Sequence, residues 1–488
     1  MCYRRKFLNI NLYLVKCKLR QKFSYYEYMK KLKIDFYNAQ KVHFIGIGGV
    51  SMSALSVFLK NSGLKVSGSD LTENEFTKKL ESFGIRVYIG HKAENIETAD
   101  LVVYNSAIKL KNPELQCAIK KYIPIIERNK LLHEIAKNFK NVIAVSGCHG
   151  KTSTTALISE IFYKCNKNPT MHLGGTSSFF NSNFVIGRNK YFITEACEYK
   201  RNFLSLKPDA GIILNVDLDH TDYYSDLEDI KSAYFQFAKN IKPKGVVILN
   251  RDDKNSSFDI KHKSVGILND AEYTAKNITD NGGKFGFDLY KKKKFMGGVQ
   301  LNVFGYHNIY NALFSFAVCD YFKLNSKKII KAINEFLGVK RRFESVGKIN
   351  GALLISDYAH HPDEIKAAIF SAREISKDVV CVFQPHTYSR TKKFLHNFSQ
   401  SFSGCDLILC DVYAAREKED KQVLEKLAAE CNKFAKSVKR VQKEDAYKYL
   451  NKNVYKGVIL VLTAGDLHQS IMDSLEQNKL SQTETCLR

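Results

Sequence analysis

Lys151 and Thr152 stand inside Ser146–Thr155, which reads Ser-Gly-Cys-His-Gly-Lys-Thr-Ser-Thr-Thr. An ammonium followed at once by a hydroxyl, both just after glycine, suits a nucleotide polyphosphate. The lysine neutralises terminal phosphates and the threonine hydroxyl is a ligand for Mg²⁺. Gly147 and Gly150 let the backbone approach closely and take positive φ. The apolar run Val142–Val145 predicts a short buried strand before this turn, and Leu157, Ile158, Ile161 and Phe162 recur at helical spacing after it. A phosphate would then lie against unpaired amides at the positive end of a helix dipole. Val145 stands where the usual phosphate loop has its first glycine, so a purely structural glycine turn competes with nucleotide binding on the loop alone.

A second set of groups converges on the same rim. Tyr191–Thr194 predicts a strand that delivers Glu195-Ala-Cys-Glu198-Tyr-Lys-Arg201, and the apolar run Ala210–Val216 ends in Asp217-Leu-Asp219-His220. In a doubly wound sheet both strand ends open onto the crevice that holds the phosphate loop. Carboxylates and an imidazole gathered there suit Mg²⁺, which neutralises phosphoryl charge. Further on, Asn308 and Asn311 open a helix, where they serve either as caps or as partners for a base. Arg341 and Arg342 follow, with guanidinium geometry suited to phosphate.

The flanking regions repeat the strand–turn–helix plan. From Lys41 an apolar run leads into Gly46, Gly48 and Gly49, with Ser51 where a dinucleotide fingerprint has its third glycine. Strands are predicted at Leu64–Ser67, which leads to Asp70 at the place that binds a ribose hydroxyl, and at Leu101–Tyr104, which leads to Ser106. That is a Rossmann-like domain for some nucleotide, with a turn shaped only for packing as the other reading. Gly338–Arg342 predicts a hinge. Beyond it, strands at Ala352–Ser356, Val379–Phe383, Leu407–Cys410 and Val458–Leu462 alternate with helices at Glu364–Arg373 and from Thr391, implying another mostly parallel sheet. Lys291–Lys294 predicts a hairpin turn, and the polar tail after residue 475 is expected to fray.

Composition narrows the class. With 488 residues, 44% of them hydrophobic, the chain has room for two to four domains. No apolar run approaches the ~18 residues that span a bilayer. The first 28 residues are basic and interrupted by Arg, Lys and Asn, and Met29 opens a more conventional start. Twelve cysteines without a Cys-x-x-Cys pair, one of them inside the phosphate turn, point to a reducing cytoplasm. The net charge of +25 is spread along the chain without a basic helix, which favours a solvated lysine surface over nucleic-acid binding.

Seven segments occur in order: the Gly-Cys-His-Gly-Lys-Thr loop, Glu195-Ala-Cys-Glu, Asp219-His220, His307-Asn308-Ile-Tyr-Asn311-Ala, Arg341-Arg342-Phe-Glu, Asp357-Tyr-Ala-His360-His-Pro, and Phe383-Gln-Pro-His386-Thr-Tyr-Ser-Arg390. From Met29 to about residue 470 the chain resembles the Mur ligases, and Gly-Ile-Gly-Gly with the His-His-Pro block resembles the members that add L-alanine. The resemblance implies an α/β protein of three domains, each on a mostly parallel sheet. Residues 29–139 would form a Rossmann-like UDP-sugar domain, 140–342 a central ATP-binding domain, and 343–488 a Rossmann-like amino-acid domain, with 1–28 as a basic extension. It also implies ATP and Mg²⁺ as cofactors, and UDP-N-acetylmuramate and L-alanine as partners. The carboxylate would be phosphorylated by ATP and the acyl phosphate attacked by the amine, in a cytoplasmic monomer or dimer that binds neither nucleic acid nor membrane.

By the same resemblance, Lys151, Glu195 and His220 are catalytic, and Thr152, Glu195 and His220 hold metal. Gly147, Cys148, His149, Gly150, Lys151, Thr152, Ser153, Asn308, Asn311, Arg342 and Asp357 bind ATP. Gly46, Gly48, Gly49, Asp70 and Ser106 bind the UDP-sugar, and Tyr358, His360, His386 and Arg390 the amino acid. Cys148 and Ser153 replace the family's threonines, and Thr387 stands where many relatives place a second arginine. The nearest rival is a ligase that recycles a murein tripeptide onto the same sugar nucleotide. Folylpolyglutamate synthase, which lacks the first domain, a nicotinamide dehydrogenase and a nucleic-acid binder are more distant readings.

Overall fold

The structure is a computed structural model that describes residues 39–220, 223–415 and 417–486. The basic extension 1–28 and the start at Met29 lie outside these. The chain divides into two compact units, the first ending at Glu134 and the second beginning at Ile135.

The first unit carries a five-stranded, all-parallel sheet in the spatial order Arg86–Ile89, Lys65–Asp70, Lys41–Ile45, Leu101–Tyr104, Ile125–Glu127. Lys41–Ile45 is central and buried from Val42 onward, so Val42, Phe44 and Ile45 are apolar on both faces and the one polar side chain among them, His43, is buried too. The sequence order reverses on either side of it, so the Gly46–Gly49 turn opens at a switch point.

The second unit holds two sheets. Its ten-stranded sheet has a parallel centre in the order Val246–Asn250, Ala210–Ile213, Asn141–Ser146, Tyr191–Glu195, Thr170–Ser177. Asn141–Ser146 is again the strand where the order turns, and it feeds the phosphate loop. The helix Lys151–Lys164 packs its buried Ala156, Leu157, Ile158, Ile161 and Phe162 into the core above it. One edge is extended by the hairpin strands Tyr273–Asp280, Lys284–Lys291 and Lys294–Phe304. Their turn falls at Lys291–Lys294, as expected, but the strands themselves escaped the sequence reading.

The six-stranded sheet runs Glu344–Ile349, Ala352–Asp357, Val458–Leu462, Val379–Phe383, Asp406–Leu409, Ser437–Arg440, parallel except for the first pair. Two expectations are corrected. Ala210–Val216 leaves the sheet after Ile213, because Asn215 turns back to the phosphate loop. The tail after residue 475 does not fray but continues as helix to Cys486, with Leu475 buried.

Candidate active site

The phosphate loop folds as the spacing of its glycines demands. Gly147 has φ +138° and Gly150 φ +83°, and a Cβ on either would meet Leu214 or Asn311 at 2.9 Å. Gly150 caps the helix Lys151–Lys164. Asn215 clips the loop from outside: its Oδ1 accepts from the His149 N–H at 2.8 Å and its Nδ2 donates to the His149 carbonyl at 3.1 Å. His149 is exposed, Thr152 is buried, and Ser153 is half-buried on the first helical turn.

Lys151 is folded onto the loop. Its Nζ donates to the Gly147 carbonyl at 2.5 Å, the Cys148 carbonyl at 3.1 Å and Glu198 Oε1 at 2.8 Å. Burial alone would weaken its hold on the proton, but the Glu198 carboxylate more than compensates and its pKa is raised. Glu198 is fully buried, and its own pKa is lowered: burial opposes ionisation, while the charge of Lys151 and a hydrogen bond from His220 favour it. His220 Nε2 lies 3.3 Å from Glu198 Oε1, and its ring sits 4.9 Å from that of Tyr199. Ligand atoms of Glu198, Asp219 and His220 fall within 4.8 Å of one another. The backbone here is strained, with positive φ at Lys200, Arg201 and His220.

That trio differs from the expected metal set of Thr152, Glu195 and His220. His220 is where the sequence places it, but Glu195 spends one oxygen on the Gly174 N–H at 2.5 Å, and it is Glu198 that meets His220. Both glutamates lie at the end of one strand, and the motif match favours the first.

The two asparagines do not face outward. Asn311 Oδ1 accepts from Thr154 Oγ1 at 2.9 Å, its Nδ2 donates to Asn308 Oδ1 at 2.8 Å, and Asn308 donates to the Phe304 carbonyl at 2.7 Å. Neither is the helix cap, which is Tyr306. Both are buried and brace the phosphate loop from behind. The side chain of His307 beside them is exposed, and desolvation by the protein around it, with the nearby His149, takes its pKa down to about 4.

The six-stranded sheet supplies the opposite wall. A cavity of about 550 Å³ is lined by His149, Tyr199, Asp219 and His220 from one side and by His360, His361, Thr387 and Arg390 from the other. Arg390 Nη1 is buried with no hydrogen-bond partner among the described residues. A guanidinium nitrogen in that condition is a ready donor for an anionic group. Of the four residues expected around the amino acid, His360 and Arg390 line this cavity. His386 stands behind His360, ring centroids 5.6 Å apart, and burial takes its pKa down to about 4. Tyr358 does not line the cavity but packs edge-on against the His360 ring, centroids 5.4 Å apart, under the guanidinium groups of Arg341 and Arg342 at 4.8 and 5.5 Å.

The hinge is built around Asp357. Its Oδ2 accepts from the Phe343 N–H and its Oδ1 from the Ala359 N–H, both at 2.7 Å. Burial pushes its pKa up to about 6 against the pull of Arg342. Gly338, Arg341 and Phe343 all have positive φ, and Val339 bridges to Ser177. Asp357 and Tyr358 therefore shape the predicted hinge, and both remain partly exposed.

In the first unit the Gly46–Gly49 turn is braced by an acid. Asp70 is buried, and its Oδ2 accepts from the Gly48 N–H at 2.9 Å while Oδ1 accepts from the Leu71 N–H at 2.7 Å. The expected ribose ligand is thus committed to the turn. Ser106 is exposed. Behind Asp70, Ser69 Oγ donates to the buried Glu114 at 2.6 Å, and Asn95, His91 and His43 complete a cluster absent from the sequence reading.

Comparison with known proteins bears on the whole chain. Residues 41–140 match the Mur ligase family catalytic domain, 145–319 the Mur ligase middle domain, and 341–467 the Mur ligase glutamate ligase domain. The chain is 42% identical over 439 residues to the UDP-N-acetylmuramate–L-alanine ligase of Clostridium beijerinckii, covering 88% of this chain and 96% of that protein. It is 41% identical over 442 residues to the enzyme of that name from Caldicellulosiruptor bescii, covering 88% and 97%. Among solved structures it is similar to UDP-N-acetylmuramate-alanine ligase from Thermotoga maritima, with TM-score 0.77 and 28% identity over 90% of this chain and 99% of that one. A murein peptide ligase from Psychrobacter arcticus shares the fold at TM-score 0.70 and 22% identity, covering 89% and 98%. With its three sheets, its phosphate loop and all three family domains in order, this chain belongs to the Mur ligase family.

Proposed function

We propose that the chain is an ATP-dependent ligase that joins L-alanine to the carboxylate of UDP-N-acetylmuramate through an acyl phosphate, releasing ADP and phosphate. One observation carries this reading: the phosphate loop, the His220 cluster and Arg390, one nitrogen of which has no partner among the described residues, stand around a single cavity in the second unit. Domain limits at 29–139, 140–342 and 343–488 go with it.

The chemistry needs alignment and charge neutralisation more than covalent help. Lys151 turns from the loop carbonyls to the β/γ-phosphates of ATP, and the Gly147–Gly150 amides cradle them. Arg390 pairs the alanine carboxylate, and His360 packs beside it. Closure about Gly338–Arg342 brings the cavity walls together and keeps water from the acyl phosphate.

The residues fit a divalent cation: carboxylate and imidazole donors lie within 4.8 Å of one another, and one fully buried carboxylate oxygen of Glu198 has no hydrogen-bond partner among the described residues. Of the expected ligands His220 stands in this trio, and Mg²⁺ held there by His220, Asp219 and Glu198 would supply neutralisation of phosphoryl charge, with Thr152 and Glu195 the further donors that the resemblance implies.

The test is phosphate release from ATP with UDP-N-acetylmuramate and each candidate amine. Turnover with L-alanine is expected. Turnover with the murein tripeptide and none with L-alanine would replace this reading with that of the recycling ligase.

A further inference from the structure

Glu198 has too few partners for a fully buried carboxylate. Oε1 takes Lys151 Nζ at 2.8 Å and faces His220 Nε2 at 3.3 Å, while Oε2 is buried with no hydrogen-bond partner among the described residues. The residue is also held in place, since Tyr224 donates its hydroxyl hydrogen to the Glu198 carbonyl at 2.6 Å. An unmet oxygen on a buried anion is costly, so a site that keeps one has a use for it.

Lys151 is in the opposite condition. An ammonium has three donors, and three acceptors surround it: the Gly147 and Cys148 carbonyls and Glu198. It reaches a phosphate oxygen only by giving up at least one of them. If it leaves Glu198, a buried negative charge loses its cation, and something positive must replace it. Asp219 and His220 stand where such a replacement would find its other ligands.

We propose that Glu198 is an exchangeable ligand, held by Lys151 in one state and by a divalent cation shared with Asp219 and His220 in the other. The lysine and the cation then compete for one carboxylate, and departure of the lysine to a phosphate opens the cation site. Two carboxylates and one imidazole suit Mg²⁺ or Mn²⁺. This rests on the reading above that Lys151 takes the nucleotide phosphates. It adds a ligand and a coupling that the motif match does not contain.

The experiment is Mn²⁺ binding to the full chain without nucleotide, followed by electron paramagnetic resonance. Lys151→Met is expected to bind Mn²⁺ at least about tenfold more tightly than the unsubstituted chain, because a competing charge beside the carboxylate is gone. Lys151→Gln keeps a donor for the loop carbonyls and should show the same gain, which separates loss of charge from collapse of the loop. Adding Glu198→Gln to either variant should abolish it. The proposal is overturned if neither lysine variant binds more tightly, or if the double variants bind as well as the single ones. ADP affinity of the unsubstituted chain is read in parallel: its absence would remove the nucleotide reading while leaving the Mn²⁺ result to stand or fall alone.

Discussion

Two glycine turns in this chain share one plan, and opposite charges secure them. Gly46–Gly49 and Gly147–Gly150 each follow the strand where a parallel sheet reverses its order, and each opens a helix. In the first, the buried Asp70 carboxylate accepts from a turn amide. In the second, Lys151 donates to two turn carbonyls. The amide that a phosphate would seek in the first turn already faces an anion. The second turn carries a cation that can be redirected. Local geometry makes both turns anion-ready in principle, and a single side chain decides which one can serve a triphosphate.

Exchanging those charges tests the contrast. Lys151→Ala should lower the rate of ATP-dependent phosphate release by about 10³-fold, as loss of a preorganised charge stabiliser does, while binding of UDP-N-acetylmuramate is nearly unchanged. Steady-state turnover and calorimetric titration of the sugar nucleotide check the two halves. Equal loss of both would mean that the two turns do not divide the work.

The acid that secures the first turn has a second acid behind it. Burial alone would raise the Glu114 pKa, but the His43 ring 3.6 Å away and hydrogen bonds with His91, Ser69 and Asn95 bring it to about 2, from an ordinary 4.5. A depressed carboxylate stabilises the fold fully above its unfolded pKa, and that contribution is lost as pH falls from 4.5 towards 2. Glu114→Gln should therefore cost about 3 kcal/mol at pH 7. The gap to the unsubstituted chain should narrow below pH 4.5. Denaturant unfolding of the full chain at pH 7 and pH 4 measures it, and a gap independent of pH would assign the loss to packing.

Asp70→Ala acts on the turn itself. It leaves the Gly48 and Leu71 amides without their acceptor, a loss of about 1–3 kcal/mol. The Kd for UDP-N-acetylmuramate should rise about tenfold with ADP affinity unaltered, and a fall in ADP affinity alone would reverse the roles of the two turns.

Much of this arrangement was legible in the sequence, for physical reasons that also mark where legibility stops. Strands buried on both faces read as continuous apolar runs, so Val379–Phe383 and Val458–Leu462 were placed to the residue. The hairpin strand Tyr273–Asp280 has one wet face and alternates with Lys, Asn and Asp, so it lacked that signature. Motif spacing located Lys151 and His220, because their chemistry depends on residue type at a strand end. It did not reveal which way Asp70, Asn311 and Asp357 point. Each is a polar residue at a plausible rim position that turns inward to satisfy backbone or neighbouring groups, and only packing decides that. Glu198 was in plain view three residues after Glu195. Its importance lies in burial and in its contact with Lys151, neither of which spacing encodes.

The smallest expected effect sharpens the comparison at the second turn. Cys148 stands where the resemblance implies a threonine, and its thiol is a hydrogen-bonding group of the loop without being a reactive one. Sγ lies 3.2 Å from the Asp217 carbonyl oxygen and 3.7 Å from the Tyr234 hydroxyl. Burial, with the charge of Glu198, pushes its pKa up to about 12. At pH 8 there is then almost no thiolate, and thiolate is what alkylating reagents attack. Cys148→Thr keeps a small side chain able to donate to the same carbonyl, so kcat/KM for ATP should change by no more than about threefold. Iodoacetamide at pH 8 should leave Cys148 unmodified in a peptide map of the native chain. Rapid alkylation, with loss of turnover that the threonine variant escapes, would instead place a nucleophile in the loop and undo the division of labour between Lys151 and its surroundings.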